Sequence, residues 1–429
     1  MAVPVKSAAI GFIFVTLLID TIGFGVVIPV LPDLIQHLKH TDMSKTSQYG
    51  GLLIATYAVM QFVFAPVLGN LSDRYGRRPV LLFSLLGFGM DYVFQGLAPT
   101  LGWLFAGRLI AGMTGASFTT ASAYIADIST PENRTQNFGL VGVAFGLGFI
   151  LGPFLGGEMS TFGLRVPFFA AAALSLLNAL FGFFILPESL SMENRRKFEW
   201  KRANPVGAIL NLKKYPALTG LFVSVFFVFT AAHAVQSNWT FFNKEKFHWS
   251  AAEIGYSLSF VGLLIGLVQG VLIRPLIPWL GPRKTLYIGL ILYALACLLF
   301  AFASRSWMMY VFLVPYCLGG IAGPSLQSII SGSVPASEQG ELQGLMTSIM
   351  SATSIFGPLL MTGLFAYYTQ PHGRIYFPGA PFLAGAFFLG CSVVIAYLSL
   401  RGKNDPSEGD IAVSNPPPGA LESARETIS

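Results

Sequence analysis

Charge is what this chain has little of. Asp, Glu, Lys and Arg together make up 11% of its 429 residues, against about a quarter in an ordinary soluble domain. That scarcity leaves no material for the wetted surface of a large soluble domain. Cysteine is scarcer still. Cys297, Cys317 and Cys391 are the whole supply, and all three fall inside apolar stretches. They form no CxxC pair and no Cys/His ligand spacing, so a disulfide framework and a metal site are both excluded as readings. No Ser/His/Asp set and no phosphate-binding glycine loop stands out either, which argues against an enzyme. What fills the chain instead is apolar: 54% of residues are hydrophobic and the mean hydropathy is +0.65.

The apolar residues are gathered into twelve stretches. A membrane-crossing helix needs about 20 of them, and a helix satisfies its own backbone polar groups in lipid. The expected spans are 8–31, 49–69, 79–98, 101–125, 137–157, 166–187, 217–242, 253–273, 285–304, 307–331, 341–368 and 380–400. The first is too long for the apolar part of a signal peptide and has no small-residue cleavage site, so it reads as a retained helix. With the N-terminus inside, the inner loops and tails carry 18 of the 26 Lys and Arg, the outer loops 7, and a single one lies within a span. This positive-inside bias places both termini in the cytoplasm of a cell with the protein in its inner (plasma) membrane. The cluster Arg195, Arg196, Lys197, Lys201, Arg202, Lys213 and Lys214 in the central loop suits anionic lipid headgroups, not nucleic acid. The polar tail 401–429, with its Pro-Pro-Pro-Gly run, is expected to be disordered.

The chain repeats itself in one register. Gly76-Arg77-Arg78 is answered by Gly281 to Lys284, Asn137–Leu140 by Leu342–Leu345, and Leu151–Leu155 by Phe356–Leu360, each 205 residues apart. The array is therefore an all-α membrane protein of two pseudo-symmetric six-helix bundles. Residues 1–187 form the first, 188–216 a cytoplasmic connecting loop, 217–400 the second and 401–429 the tail. Duplicated helical arrays of this kind hold a solute near the midplane between halves and rock around it.

Three charges sit where lipid should have removed them, at a cost of about 2.5–3.5 kcal/mol each at a helix centre. Asp20 is in the first span, Asp91 in the third and Arg108 in the fourth. Asp91 and Arg108 stand at similar distances from the turn at Pro99, so they reach similar depth. They pair structurally, or they tune a proton site; Asp20 is left over as the candidate for proton or cation coupling. On the fourth span, Gly112, Gly115, Thr119 and Ser122 share a helical face with Arg108. In the seventh, His233 is a buried hydrogen-bonded histidine or, with Gln236 and Asn238, a wall of a solute cavity. Gln61 and Gln269 are further intramembrane amides that can face solute.

Two backbone motifs complete the inventory. Between the second and third spans, Gly69, Asp73, Arg74, Gly76, Arg77 and Arg78 form a tight-turning charged loop able to clip helix ends in one conformation and release them in another. Asp127, at the end of the fourth span, belongs with them. The fifth span carries Gly152-Pro153, repeated at Gly357-Pro358. These are close-packing positions or flexible gates.

Together these residues resemble the major facilitator superfamily, and within it the twelve-helix drug/proton antiporters of the tetracycline-efflux type. The stretch Gly69–Leu82 is similar to the superfamily's signature between helices 2 and 3. GRLIAGMTGA at Gly107–Ala116 resembles the helix 4 signature, whose arginine the family assigns to proton coupling. GFILGPFLGG at Gly148–Gly157 resembles the antiporter signature of helix 5. Leu18–Pro32, Met90–Phe94 and Leu342–Leu360 resemble helices 1, 3 and 11 of the tetracycline group. The resemblance implies a monomeric secondary transporter that exchanges protons for amphipathic organic compounds by alternating access, with no cofactor beyond the coupling proton. Two features depart from the group. Its helix 8 histidine is replaced by Ile265, although Gln269 matches, and its helix 9 aspartate by Tyr293. A proton-coupled importer or facilitator of a small metabolite shares the same fold. A non-transporting sensor would need a signalling domain for which 429 residues leave no room.

Overall fold

The computed structural model describes residues 5–130, 133–198, 215–335 and 338–401. The expectation for the tail beyond Arg401, and four members of the basic cluster (Lys201, Arg202, Lys213 and Lys214), lie outside them. Among the described residues every regular element is helical.

The first bundle comprises α1 (Val5–Val27), α2 (Leu31–Lys39), α3 (Met43–Tyr75), α4 (Arg77–Leu97), α5 (Leu101–Thr114), α6 (Ser117–Ile128), α7 (Arg134–Met159) and α8 (Val166–Ile185). The second comprises α9 (Thr219–Gln236), α10 (Trp239–Phe247), α11 (Ala251–Leu267), α12 (Ile273–Phe302), α13 (Ser306–Gly319), α14 (Ala322–Gly332), α15 (Gln339–Tyr368) and α16 (Ala380–Leu400). Eleven helical stretches are long and apolar enough to cross a membrane among the described residues. The twelfth crossing is the fourth, which the structure breaks into α5 and α6. The break falls at Gly115 and Ala116, where the backbone leaves helical geometry. The tenth crossing is interrupted between α13 and α14. The eighth runs through a π-helical turn, Val268–Leu272, into the start of α12, which bends at Gly281 before the ninth crossing begins.

The repeat is visible in the backbone. Gly76 and Gly281 both take positive φ, at 108° and 76°, a conformation that glycine adopts without a Cβ penalty. Gly76 has a second reason to be glycine: a Cβ there would collide with the Glu188 carboxylate.

The two bundles meet along two helix pairs, α3 with α15 and α7 with α11. These are the second crossing on the eleventh and the fifth on the eighth, which a two-fold between the halves interchanges. Among the described residues, the close contacts gather at one end. There, Ser44 Oγ donates to the Ala366 carbonyl at 2.8 Å and Ser259 Oγ to the Ile150 carbonyl at 2.7 Å. Gly157 lies against Ala251 and Ala252, and Gly51 against Thr362. The Lys244 ammonium, on α10, reaches the Asp33 carboxylate, on α2, at 2.8 Å. Residues three and four apart share a helix face, so these contact faces can be followed toward the Gly76 end. They lead to Gly142 and Gly146 on α7, Gly266 beyond α11's contact residues, and Gly344 on α15. None of these four glycines has an atom within 4 Å of where its Cβ would stand. Among the described residues the bundles are closed at the Lys244 end and apart at the Gly76 end.

The short α2 was not expected. Leu31–Lys39 has Pro32 in its first turn, buries Leu34 and Ile35 against α3, and turns Lys39 toward the Tyr49 ring at 6.0 Å. Its Asp33 carboxylate adds an ion pair between the halves.

Candidate functional site

The first bundle contains a cavity of about 320 Å³. Its polar members are Asp20 and Thr21 from α1, Tyr57 and Gln61 from α3, Tyr92 from α4, Arg108 from α5 and Ser117 from α6. Aromatic rings supply much of the rest: Phe24, Phe88, Phe118, Phe145 and Phe149. Three of the residues singled out from the sequence, Asp20, Gln61 and Arg108, are thus brought to one place.

Asp91 stands behind this wall, fully buried. The Arg108 guanidinium grips it with both arms, Nε 3.3 Å from Oδ1 and Nη2 on Oδ2. Such a two-point pair is the favourable way to bury both charges. The guanidinium also lies 5.8 Å from the centre of the Tyr57 ring. Gly107, one residue before the arginine, lets α5 pass close to Asp91. Gln61 is held by its neighbours, its Nε2 donating to Tyr57 Oη at 3.0 Å and to the Gly115 carbonyl at 3.2 Å. That carbonyl is free to accept because the helix breaks there.

Asp20 is different. Both carboxylate oxygens are shielded from solvent, and neither has a hydrogen-bond partner among the described residues. Arg108 is committed to Asp91. Asp20 is thus the carboxylate of the cavity wall that no cation answers.

The residues expected to line a cavity from the second half do not border this one. His233 on α9 lies with its ring against Gly357 of α15, and its carbonyl accepts from Ser237 Oγ. Gln236 and Gln269 are exposed, Gln269 in the π turn. Asn238 is buried at the start of α10, its Nδ2 donating to Ser237 Oγ at 3.2 Å. None of the four borders the cavity of the first bundle. Tyr293, at the position of the departing helix 9 acid, packs edge-on to Tyr316 with ring centres 5.0 Å apart.

At the Gly76 end the charged loop is assembled. Arg77 bonds Asp73 at 2.5 Å and Asp127 at 3.1 Å. Arg78 reaches the Phe183 carbonyl at 2.5 Å, and Arg74 lies over the Tyr75 ring. Gly69 has open space around it. Sequence reasoning missed the keystone, Glu188. Its carboxylate accepts from the Arg77 and Arg78 backbone N–H groups at 2.8 and 3.2 Å, so an anion caps the N-terminus of α4. Arg165 does the converse at the other end, donating to the Gly96 and Ala98 carbonyls. The signal for Glu188 was its position directly after Pro187, where a helix must stop.

Gly152 and Gly357 are equivalent contacts. Gly152, with Pro153, lets α7 pass close to Gly25 of α1, and Gly357 lets α15 approach His233 of α9. Among the described residues no three His, Cys, Asp or Glu side chains gather to hold a metal ion.

Comparison with known proteins agrees with this architecture. The profile of the Major Facilitator Superfamily matches residues 13–280 and 242–425. The class C tetracycline resistance protein of Escherichia coli is 42% identical over 352 residues, which are 82% of this chain and 88% of that protein. The class H tetracycline resistance protein of Pasteurella multocida is 33% identical over 400 residues, 92% of this chain and 97% of that one. Among solved structures, a bacterial homologue of the human lysosomal transporter Spinster, inward-facing and unoccupied, superposes with a TM-score of 0.72 at 17% identity, covering 94% of this chain and 98% of that one. A duplicated helical array with a charged interhelical loop, an unpaired membrane carboxylate and relatives of this similarity has one assignment: the chain is a membrane transporter, not an enzyme, and it belongs to the major facilitator superfamily, in the group of the tetracycline resistance proteins.

Proposed function

We propose that this protein is a proton-coupled antiporter of the bacterial inner membrane, exporting amphipathic organic compounds of the tetracycline kind. The observation that carries the reading is Asp20, a shielded carboxylate without a cation on the wall of an aromatic-lined cavity. Aromatic faces suit a flat amphipathic solute, and a carboxylate of this kind can exchange a proton. Asp91 and Arg108 fix the cavity wall and tune Asp20. His233, Gln236, Asn238 and Gln269 contribute from the second half when the bundles rearrange.

The positive-inside bias supports an inward Gly76 end and cytoplasmic termini, so the closed Lys244 end faces outward and the bundles rest inward-open. The charged loop, with Asp73, Arg77, Asp127 and Glu188, then holds the inner ends of the first bundle together, and Gly152-Pro153 and Gly357-Pro358 allow the helix bending that rocking requires. The working unit is a monomer. Residues 1–187 and 217–400 move as two bodies joined by 188–216, and protons and lipid are the only other partners.

Everted vesicles test this. After a respiratory proton gradient is established, tetracycline with magnesium and a panel of amphipathic drugs are added while a pH-sensitive dye reports proton movement. Drug-triggered proton release that is absent from vesicles without the protein is the expected result. Silence across the panel, with the protein correctly inserted, rejects export of these compounds.

A further inference from the structure

The ninth and twelfth crossings, α12 and α16, pack side by side in the second half. Between them lies an apolar groove of about 640 Å³, larger than the cavity of the first bundle. Small residues open it, Ala294 on α12 and Ala386 and Gly390 on α16, while the exposed Leu298 and Phe387 border it.

In the first half the same place is filled. The 205-residue register sets Gly89 of α4 in the position of Ala294. The matching starts Val166-Pro167-Phe168 and Ala380-Pro381-Phe382 set Leu176 of α8 in the position of Gly390. Leu176 packs over Gly89, with its Cδ2 2.5 Å from where a Cβ would stand, whereas a Cβ at Gly390 would meet nothing within 4 Å. The groove is thus the space left where the second half lacks the leucine of the first.

An apolar groove at membrane depth takes hydrocarbon, not water. Its end toward Gly281 specifies which. Residues three and four apart share a helix face, so the stripe through Ala294 and Ile291 continues to Tyr287 and Lys284, and the stripe through Gly390 continues to Tyr397 and Arg401. The two tyrosine rings meet there, with centres 6.3 Å apart. Lys284 and Arg401 are exposed, and among the described residues neither is in an ion pair. Tyrosines suit the headgroup level, and two cations just beyond them answer an anion. From Tyr397 to Phe387 the helix rises about 15 Å, which is the hydrocarbon depth of one leaflet.

We propose that this groove is a binding site for an anionic phospholipid, with one acyl chain lying over Gly390 and Ala294 and the phosphate on Lys284 and Arg401. The lipid belongs to the leaflet at the Gly281 end, and its chain takes the place that Leu176 fills in the first half. The proposal is independent of proton coupling and of the export reading.

Photo-crosslinking tests it. The full-length protein in phosphatidylcholine nanodiscs receives a small fraction of phosphatidylglycerol that carries a diazirine on its acyl chain, and labelled peptides are mapped by mass spectrometry. Labelling of α8, whose Leu177, Leu180 and Phe184 are exposed, measures chance contact with bulk lipid. The expected result is labelling around Ala294 and Gly390 several-fold above that of α8, displaced by unlabelled phosphatidylglycerol but not by further phosphatidylcholine. Gly390→Leu, which copies the first half into open space, should bring it down to the α8 level. Lys284→Gln together with Arg401→Gln should raise the phosphatidylglycerol fraction needed for half-labelling by about tenfold or more. Labelling no stronger than that of α8, labelling displaced equally by phosphatidylcholine, or labelling indifferent to both sets of substitutions overturns the proposal. So does a crosslink between two copies of the chain at α12 and α16 in place of the lipid.

Discussion

The two bundles share a topology and a 205-residue register, yet their interiors differ. The first buries Asp91 and Arg108 as a pair and Asp20 without a partner, around a cavity. The second is knit mostly into a large apolar core that runs from Leu218 to Leu400, with a small separate cluster at Val268, Cys317 and Ile321. Its crossings carry acids only in their first turns, Glu253 and Glu341: where the first half places charge in the interior, the second has ring contacts such as Tyr293 on Tyr316, and the Ser224–Ser392 hydroxyl pair at 2.6 Å. Duplication gave both halves the same helix contacts, seen at Gly152 and Gly357, and the same turn at Gly76 and Gly281. The buried carboxylates, Asp20 and Asp91, were kept in one of them. Fold symmetry and buried acidity are thus separable in this array.

That division of labour can be broken from either side. The largest effect is expected from Asp91→Ala, which strands Arg108 without its carboxylate in the membrane interior. Breaking a buried pair in this way costs about 3–5 kcal/mol, and thermal unfolding in detergent should show a loss of that order. Loss of proton-coupled transport without loss of stability would mean that the pair is chemical and not structural. Next comes Tyr293→Asp, which puts an acid into the second half at the departing position. With Tyr316, Cys297 and Cys317 around it and no cation, it should cost about 2.5–3.5 kcal/mol in the same assay. Stability equal to the parent would show that the second bundle tolerates charge as the first does.

The smallest effect concerns the closed end, where the bundles are joined by Lys244 and Asp33. Asp33 is a third exposed, so solvent screens the pair and its contribution is about 1 kcal/mol or less. Lys244→Gln should therefore shift the population toward the outward-open form only a few-fold. Spin-label distances across the Gly76 end would read this as a larger short-distance fraction. No change in that distribution would show that the serine and glycine contacts alone close the outer end.

Much of the fold was legible because lipid imposes a length and an apolarity on every crossing. The pairing of Asp91 with Arg108 was legible from their similar distance to Pro99. What stayed hidden was how crossings break. Gly115-Ala116 sits inside a predicted span, and hydropathy has no term for a turn of lost helix. The amphipathic α2 was hidden for the opposite reason, being too short and too polar to count as a span. The cavity walls could not be singled out either: with 38 phenylalanines in the chain, ring spacing does not tell Phe118 and Phe149 from lipid-facing residues. Glu188 looked like a loop acid because its partners, two backbone N–H groups, carry no sequence signature.

If coupling resides at Asp20 while the second half supplies contacts and motion, the two functions can be separated by substitution. Proteoliposomes loaded with a transported drug test it by comparing downhill drug exchange with uphill uptake driven by an imposed pH gradient, in the parent protein, Asp20→Asn and His233→Ala. The account predicts that Asp20→Asn keeps exchange and loses gradient-driven accumulation, whereas His233→Ala keeps both with a higher KM. Gradient-driven accumulation that persists in Asp20→Asn, or disappears in His233→Ala while exchange survives, would contradict it.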